Sequence, residues 1–131
     1  MGECEQEITA MVSMLARVNQ MLTVKTSDLQ HDTGVALASC ELEFNEYLSP
    51  GLMTEGYVEA RTAGVGAIWL WKYSLLRISD GWKLERSLEY ECNDEWRVVH
   101  GFEPTTFSTS PTMVSALPAL MEELLALPLP S

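Results

Sequence analysis

Basic residues are scarce in this chain. Lysine and arginine number 8 against 19 aspartates and glutamates, a formal charge of −11. A surface with that balance repels a phosphate backbone and an anionic bilayer, so neither nucleic acid nor membrane is an expected partner. With only two histidines, a histidine-built metal site is not expected. The cysteines Cys4, Cys40 and Cys92 are odd in number and lack CxxC spacing, which fits reduced thiols rather than a disulfide framework or a metal cage. No apolar run is long enough to span a bilayer. Glu3, Glu5 and Glu7 stand where a signal peptide needs positive charge. These absences predict a soluble, cytoplasmic protein. Nucleotide, P-loop, zincin and serine-hydrolase patterns are also missing, so no catalytic residue, metal or cofactor is assigned and no enzymatic activity is expected. The glycine pair in Gly64-Val65-Gly66 reads as a turn, and His31-Asp32 as a solvated turn.

What the chain does have is an alternating aromatic stretch. Ala67 to Cys92 contains Trp69, Trp71, Tyr73 and Leu75, then Asp80-Gly81, then Leu84, Leu88, Tyr90 and Cys92. Asp-Gly is a strong signal for a two-residue hairpin turn. Centring it there pairs Ile78 with Lys83, Leu75 with Arg86, Tyr73 with Leu88 and Trp71 with Tyr90. One face is then aromatic. The other carries Lys72, Lys83, Glu85, Ser87, Glu89 and Glu91, with Lys72 opposite Glu89. A slip of one residue would bring glutamates among the rings.

The rest of the chain arranges itself around this hairpin. Glu3 to Thr23 is predicted helical, with Ile8, Met11, Val12, Leu15, Val18 and Leu22 on one stripe. Met1, Met11, Met14 and Met21 offer a second reading of that helix as an adaptable partner groove. Thr23 to Thr33 reads as a polar loop. Gly34 to Phe44 alternates Ala36, Ala38, Cys40, Leu42 and Phe44 against Ser39, Glu41 and Glu43, a half-buried strand. Ser49-Pro50-Gly51 signals a turn, Tyr57 to Thr62 a short strand, and Ala63 to Gly66 another turn. After Cys92, a three-residue loop Asn93-Asp94-Glu95 keeps Trp96 and Val98 on the aromatic face, whereas a two-residue loop would set Trp96 beside Glu91. Phe102 to Ser110 reads as a linker. Ser110 is the expected N-cap of a last helix, followed by Pro111 and a stripe of Met113, Leu117, Leu120, Met121, Leu124 and Leu127. Pro118 should kink that helix or mark its first turn. The expected fold is a single α+β domain over residues 1–131. A five-stranded antiparallel meander sheet would carry the N-terminal and C-terminal helices on its aromatic face.

Two surfaces are candidates for function. The acidic strand face and its loops, with Glu41, Glu43, Glu85, Glu89, Glu91, Asp94 and Glu95, suit a basic protein partner through complementary fields. Tyr73, Arg86 and His100 would line a small-ligand pocket between helices and sheet, the alternative reading for a binding domain or minor enzyme. A monomer and a homodimer both remain open.

In layout and charge the chain resembles small bacterial toxin-immunity proteins. The likeness is carried by the Ala67–Cys92 hairpin, by Trp96 through Phe107 and by the leucine-rich end from Ala116 to Leu127. It implies an intracellular inhibitor or escort of a basic toxin domain. Homodimeric type III secretion chaperones are similar in size and acidity, but they carry a helix where this chain has Ser79-Asp80-Gly81. The Asp80-Gly81-Trp82 turn resembles that of the nuclear-transport-factor-like cone fold, whose helices gather at the N-terminus, unlike the terminal helix expected here.

Overall fold

The α1 helix, Gly2–Gln30, runs seven residues past the expected stop. Its buried stripe explains why: Met14, Val18 and Leu22 continue through Thr26 to Leu29, so the segment between Thr23 and Gln30 has a core side. The Thr26 hydroxyl returns to the Leu22 carbonyl at 2.8 Å, which spares this polar group an unpaired burial. Val12, placed on the stripe from sequence, is 61% exposed, and Met14 holds the core position instead. Met11 and Met21 pack half-buried against the core.

A computed structural model of the chain describes residues 2–46, 52–62 and 66–129. Helix α1 is followed by β1 (Val35–Glu46), β2 (Leu52–Thr62), β3 (Ile68–Ile78), β4 (Gly81–Cys92), β5 (Glu95–Gly101), β6 (Thr105–Phe107) and α2 (Ser110–Leu125). The strands form one antiparallel sheet ordered β1-β2-β3-β4-β5, with β6 also paired to β4. The fold is α+β with a terminal helix at each end, and one hydrophobic core joins helices and sheet. The expected turns at Ser49-Pro50-Gly51 and at Ala63 to Val65 lie outside the described residues.

Three local expectations need correction. The main hairpin closes on Ser79-Asp80, pairing Ile78 with Gly81, Leu75 with Leu84, Tyr73 with Arg86 and Trp71 with Leu88. The shift from the expected register is two residues, so every side chain keeps its face. Gly81 is required for a different reason. It begins β4 at φ +140°, and a Cβ there would lie 1.9 Å from the Phe107 carbonyl oxygen of β6. The segment read as a linker therefore supplies a sixth strand, with Phe107 opposite Trp82.

The β4–β5 connection is the two-residue loop Asn93-Asp94, with φ of 55° and 66°. Both residue types tolerate the left-handed region that a type I′ turn demands. Trp96 accordingly sits opposite Glu91, the arrangement that the three-residue loop would have avoided. A bulge opposite Leu88/Glu89 then restores the expected pairing of Leu88 with His100. Turn chemistry prevailed because β5 has no helix above it to reward an inward tryptophan; all its residues are exposed.

The α2 helix is capped by Thr109, whose hydroxyl accepts from the Thr112 amide at 3.3 Å. Ser110, the expected cap, accepts instead from the Trp82 indole N–H at 3.1 Å. The helix continues through Pro118, and its stripe of Met113, Leu117, Met121 and Leu124 is buried as expected. Helix α1 packs over β1 and β2, while α2 packs over β4 and β6 and against α1.

Candidate functional site

Strand alternation turns Ala38, Val58, Ala60, Trp71, Tyr73, Leu75, Trp82, Leu84 and Leu88 toward the helices, where all are buried. The opposite face is built of cross-strand rows that follow from register. One row is Glu55, Ser74 and Glu85; the next is Glu41, Tyr57, Lys72 and Ser87. The third is Glu59, Leu70, Glu89 and Val98, and the fourth Arg61, Ile68, Glu91 and Trp96. The small side chains of Ser74 in the first row and Ser87 in the second leave a groove of about 460 Å³. Glu55 and Tyr57 stand on one side of it, Val98, Phe102 and Pro104 on the other.

Charge on this face is unevenly matched. Arg61 pairs with Glu59 at 3.2 Å, Lys72 with Glu89 at 2.7 Å and Lys83 with Glu85 at 3.4 Å. Among the described residues, Glu41, Glu55 and Glu91 have no cation beside them. Glu41 accepts the Tyr57 hydroxyl, and Glu91 accepts the Asp94 amide at 2.8 Å. The face therefore keeps a negative surplus after its own cations are engaged.

Of the residues singled out for partner contact, Glu41, Glu85, Glu89 and Glu91 share this face. Glu43 is opposite Glu55 in register, and its side chain lies outside the described residues. Asp94 sits in the turn, and Glu95, opposite Cys92, projects on the helix side of the sheet with Arg97 3.6 Å away. Glu55 was missed because β2 was expected to begin at Tyr57, and Tyr57 and Glu59, inside the expected strand, were not assigned to the acidic face. The alternation of Thr54, Gly56, Val58 and Ala60 against Glu55, Tyr57, Glu59 and Arg61 was the signal for a longer strand.

The second candidate set divides. Tyr73 and Arg86 are cross-strand partners and both are buried. Burial pushes the Tyr73 phenol up to about 12, against a smaller opposite pull from the Thr54 hydroxyl. Arg86 donates from Nη1 to the Leu120 carbonyl at 2.8 Å and lies 3.7 Å from the Glu123 carboxylate. Its guanidinium rests 4.1 Å from the centre of the Phe102 ring. Burial works against its charged form, and Glu123 works for it. Arg86 is thus a tie between β4 and the middle of α2 rather than an open ligand group. His100 is exposed and meets the same Phe102 ring edge-on at 4.6 Å, so it reaches Arg86 only through that ring.

A further hollow, also about 460 Å³, lies between the helices beside Met21, Val24, Lys25 and Leu125. Lys25 donates to the Leu127 carbonyl at 3.2 Å and stands 4.9 Å over the Trp71 ring. The Trp71 indole N–H donates to that same carbonyl at 2.9 Å. Burial lowers the Lys25 ammonium, while Asp28 and Asp32 act in the other direction. These contacts satisfy the C-terminal end of α2, a structural use of the lysine. Cys40 and Cys92 are free and partly buried, and no metal-holding cluster of three or more His, Cys, Asp or Glu occurs among the described residues. No described helix is long and apolar enough to cross a membrane. Comparison of the chain with protein-family models, with curated proteins and with solved structures finds no match.

Proposed function

We propose that this is a cytoplasmic, non-enzymatic binding protein whose outer sheet face receives a basic segment of a protein partner, in the manner of an acidic inhibitor or immunity protein. One observation carries the reading. The face retains Glu41, Glu55 and Glu91 in surplus after Arg61, Lys72 and Lys83 are engaged, and it holds a groove wide enough for side chains that Glu55 lines. Tyr57 supplies ring surface at that groove. Such a site pairs charge steering with aromatic contact, the combination that gives fast and specific association.

The test is capture from extract of the native host by the immobilised full chain, alongside a Glu55→Lys/Glu85→Lys/Glu91→Lys variant. The expected result is a retained protein with a basic surface, released by moderate salt and lost to the variant. Recovery of no basic protein, or equal recovery on the charge-reversed variant, overturns the proposal.

A further inference from the structure

We propose that the free edge of β5 is a homodimer interface, joining two copies of this chain antiparallel about Trp96. The two edges of the sheet are treated differently. At the β1 edge, Gln30 Nε2 from the end of α1 donates to the Ala38 carbonyl at 2.9 Å. At the other edge, β5 pairs with β4 on one side and with no described residue on its far side.

The tight turn decides which groups that edge presents. In a two-residue hairpin the residues flanking the loop, here Cys92 and Glu95, form a hydrogen-bonded pair. Alternation then points the N–H and C=O of Trp96, and next of Val98, away from β4. Their side chains are exposed as well, Trp96 at 54% and Val98 at 62%. Neither a proline nor a lysine guards the strand, the usual devices against edge pairing. The bulge opposite Leu88/Glu89 ends the regular stretch but leaves Glu95 to Val98 straight.

Charge selects the occupant. Centred on Trp96, an antiparallel pairing sets Glu95 of each copy opposite Arg97 of the other, twice per dimer. Centring one residue later would set Arg97 against Arg97, and a basic strand from another protein would likewise meet Arg97. The strand is complementary to itself in one register. The symmetry axis is then perpendicular to the sheet, so the acidic outer faces of both copies look the same way and form one broader surface.

The experiment is sedimentation equilibrium of the full chain over a concentration series. Wild type should dimerise reversibly. Glu95→Arg and Arg97→Glu should each weaken the dimer about tenfold, because each creates two like-charge pairs. Mixing the two variants should restore the dimer as a heterodimer, a result that the exposed Glu95–Arg97 contact within one chain does not produce. Glu85→Lys should leave dimerisation unchanged, which separates this inference from the binding of a basic partner. A chain that stays monomeric throughout, or a dimer indifferent to both charge changes and to mixing, overturns it.

Discussion

Strand β4 has two sides that obey different rules. Trp82, Leu84, Arg86 and Leu88 face the helices and are buried, while Lys83, Glu85, Ser87 and Glu89 face outward at intermediate depth or fully exposed. On the inner side the polar atoms of the large residues act as fasteners for α2. Trp82 holds Ser110 at its start, Arg86 holds Leu120 in its middle, and Trp71 of β3 holds the Leu127 carbonyl beyond its end. On the outer side polar side chains pair directly with one another at the surface, as Lys72 does with Glu89 and Lys83 with Glu85. The inner side should therefore answer substitution with lost stability, and the outer side with altered binding.

The largest effect belongs to Trp71→Ala. It empties a fully buried site and strips the Leu127 carbonyl of a donor, at a cost of about 3–5 kcal/mol in denaturant unfolding. Arg86→Ala should cost about 2–3 kcal/mol, since it removes a buried charge-assisted hydrogen bond to the Leu120 carbonyl and the cover of the Phe102 ring. Glu123→Ala should cost far less, because that carboxylate stands mostly in water.

High pH offers a test without mutation. Tyr73 ionises near 12 in the folded chain and near 10 in the unfolded one. The folded state thus holds its proton more tightly, so this stability is fully present below pH 10 and is lost as pH rises through 12. The loss amounts to about 2–3 kcal/mol. Unfolding midpoints across that window, compared with Tyr73→Phe, isolate the contribution. The phenylalanine variant should show a flatter decline.

Trp82→Phe removes one hydrogen bond while keeping a ring, and about 1 kcal/mol is expected by chemical denaturation. Glu85→Lys is the smallest, within about 0.5 kcal/mol of wild type. A loss from Glu85→Lys as large as that from Arg86→Ala would erase the distinction between the faces.

Much of this division was legible from alternation. The apolar positions Trp71, Tyr73 and Leu75 and the acidic positions Glu85, Glu89 and Glu91 have their expected sides, because a two-residue register shift leaves side-chain parity unchanged. The stripe of α2 was legible for the same reason. The acidic groove was legible only in part. Glu55 lay in a segment read as a loop, since Gly56 interrupts the hydrophobic pattern that marks a strand, while Glu59 lay in the expected strand but was not assigned to the acidic face. Arg86 was placed near Tyr73, but its burial depends on α2 bringing the Leu120 carbonyl within reach and on Phe102 folding beneath it, partners distant along the chain.

Periodicity and charge, which are local properties, determined by themselves that this chain has two amphipathic helices, a sheet with one oily and one acidic side, and a negative surface. Tertiary structure alone decided the β3–β4 register, the use of Gly81 and the burial of Arg86. Gly81 answers to the Phe107 backbone laid against it, and Arg86 to Leu120 and Phe102 brought beside it. Those outcomes depend on which distant segments come to lie together, and no window of neighbouring residues encodes that.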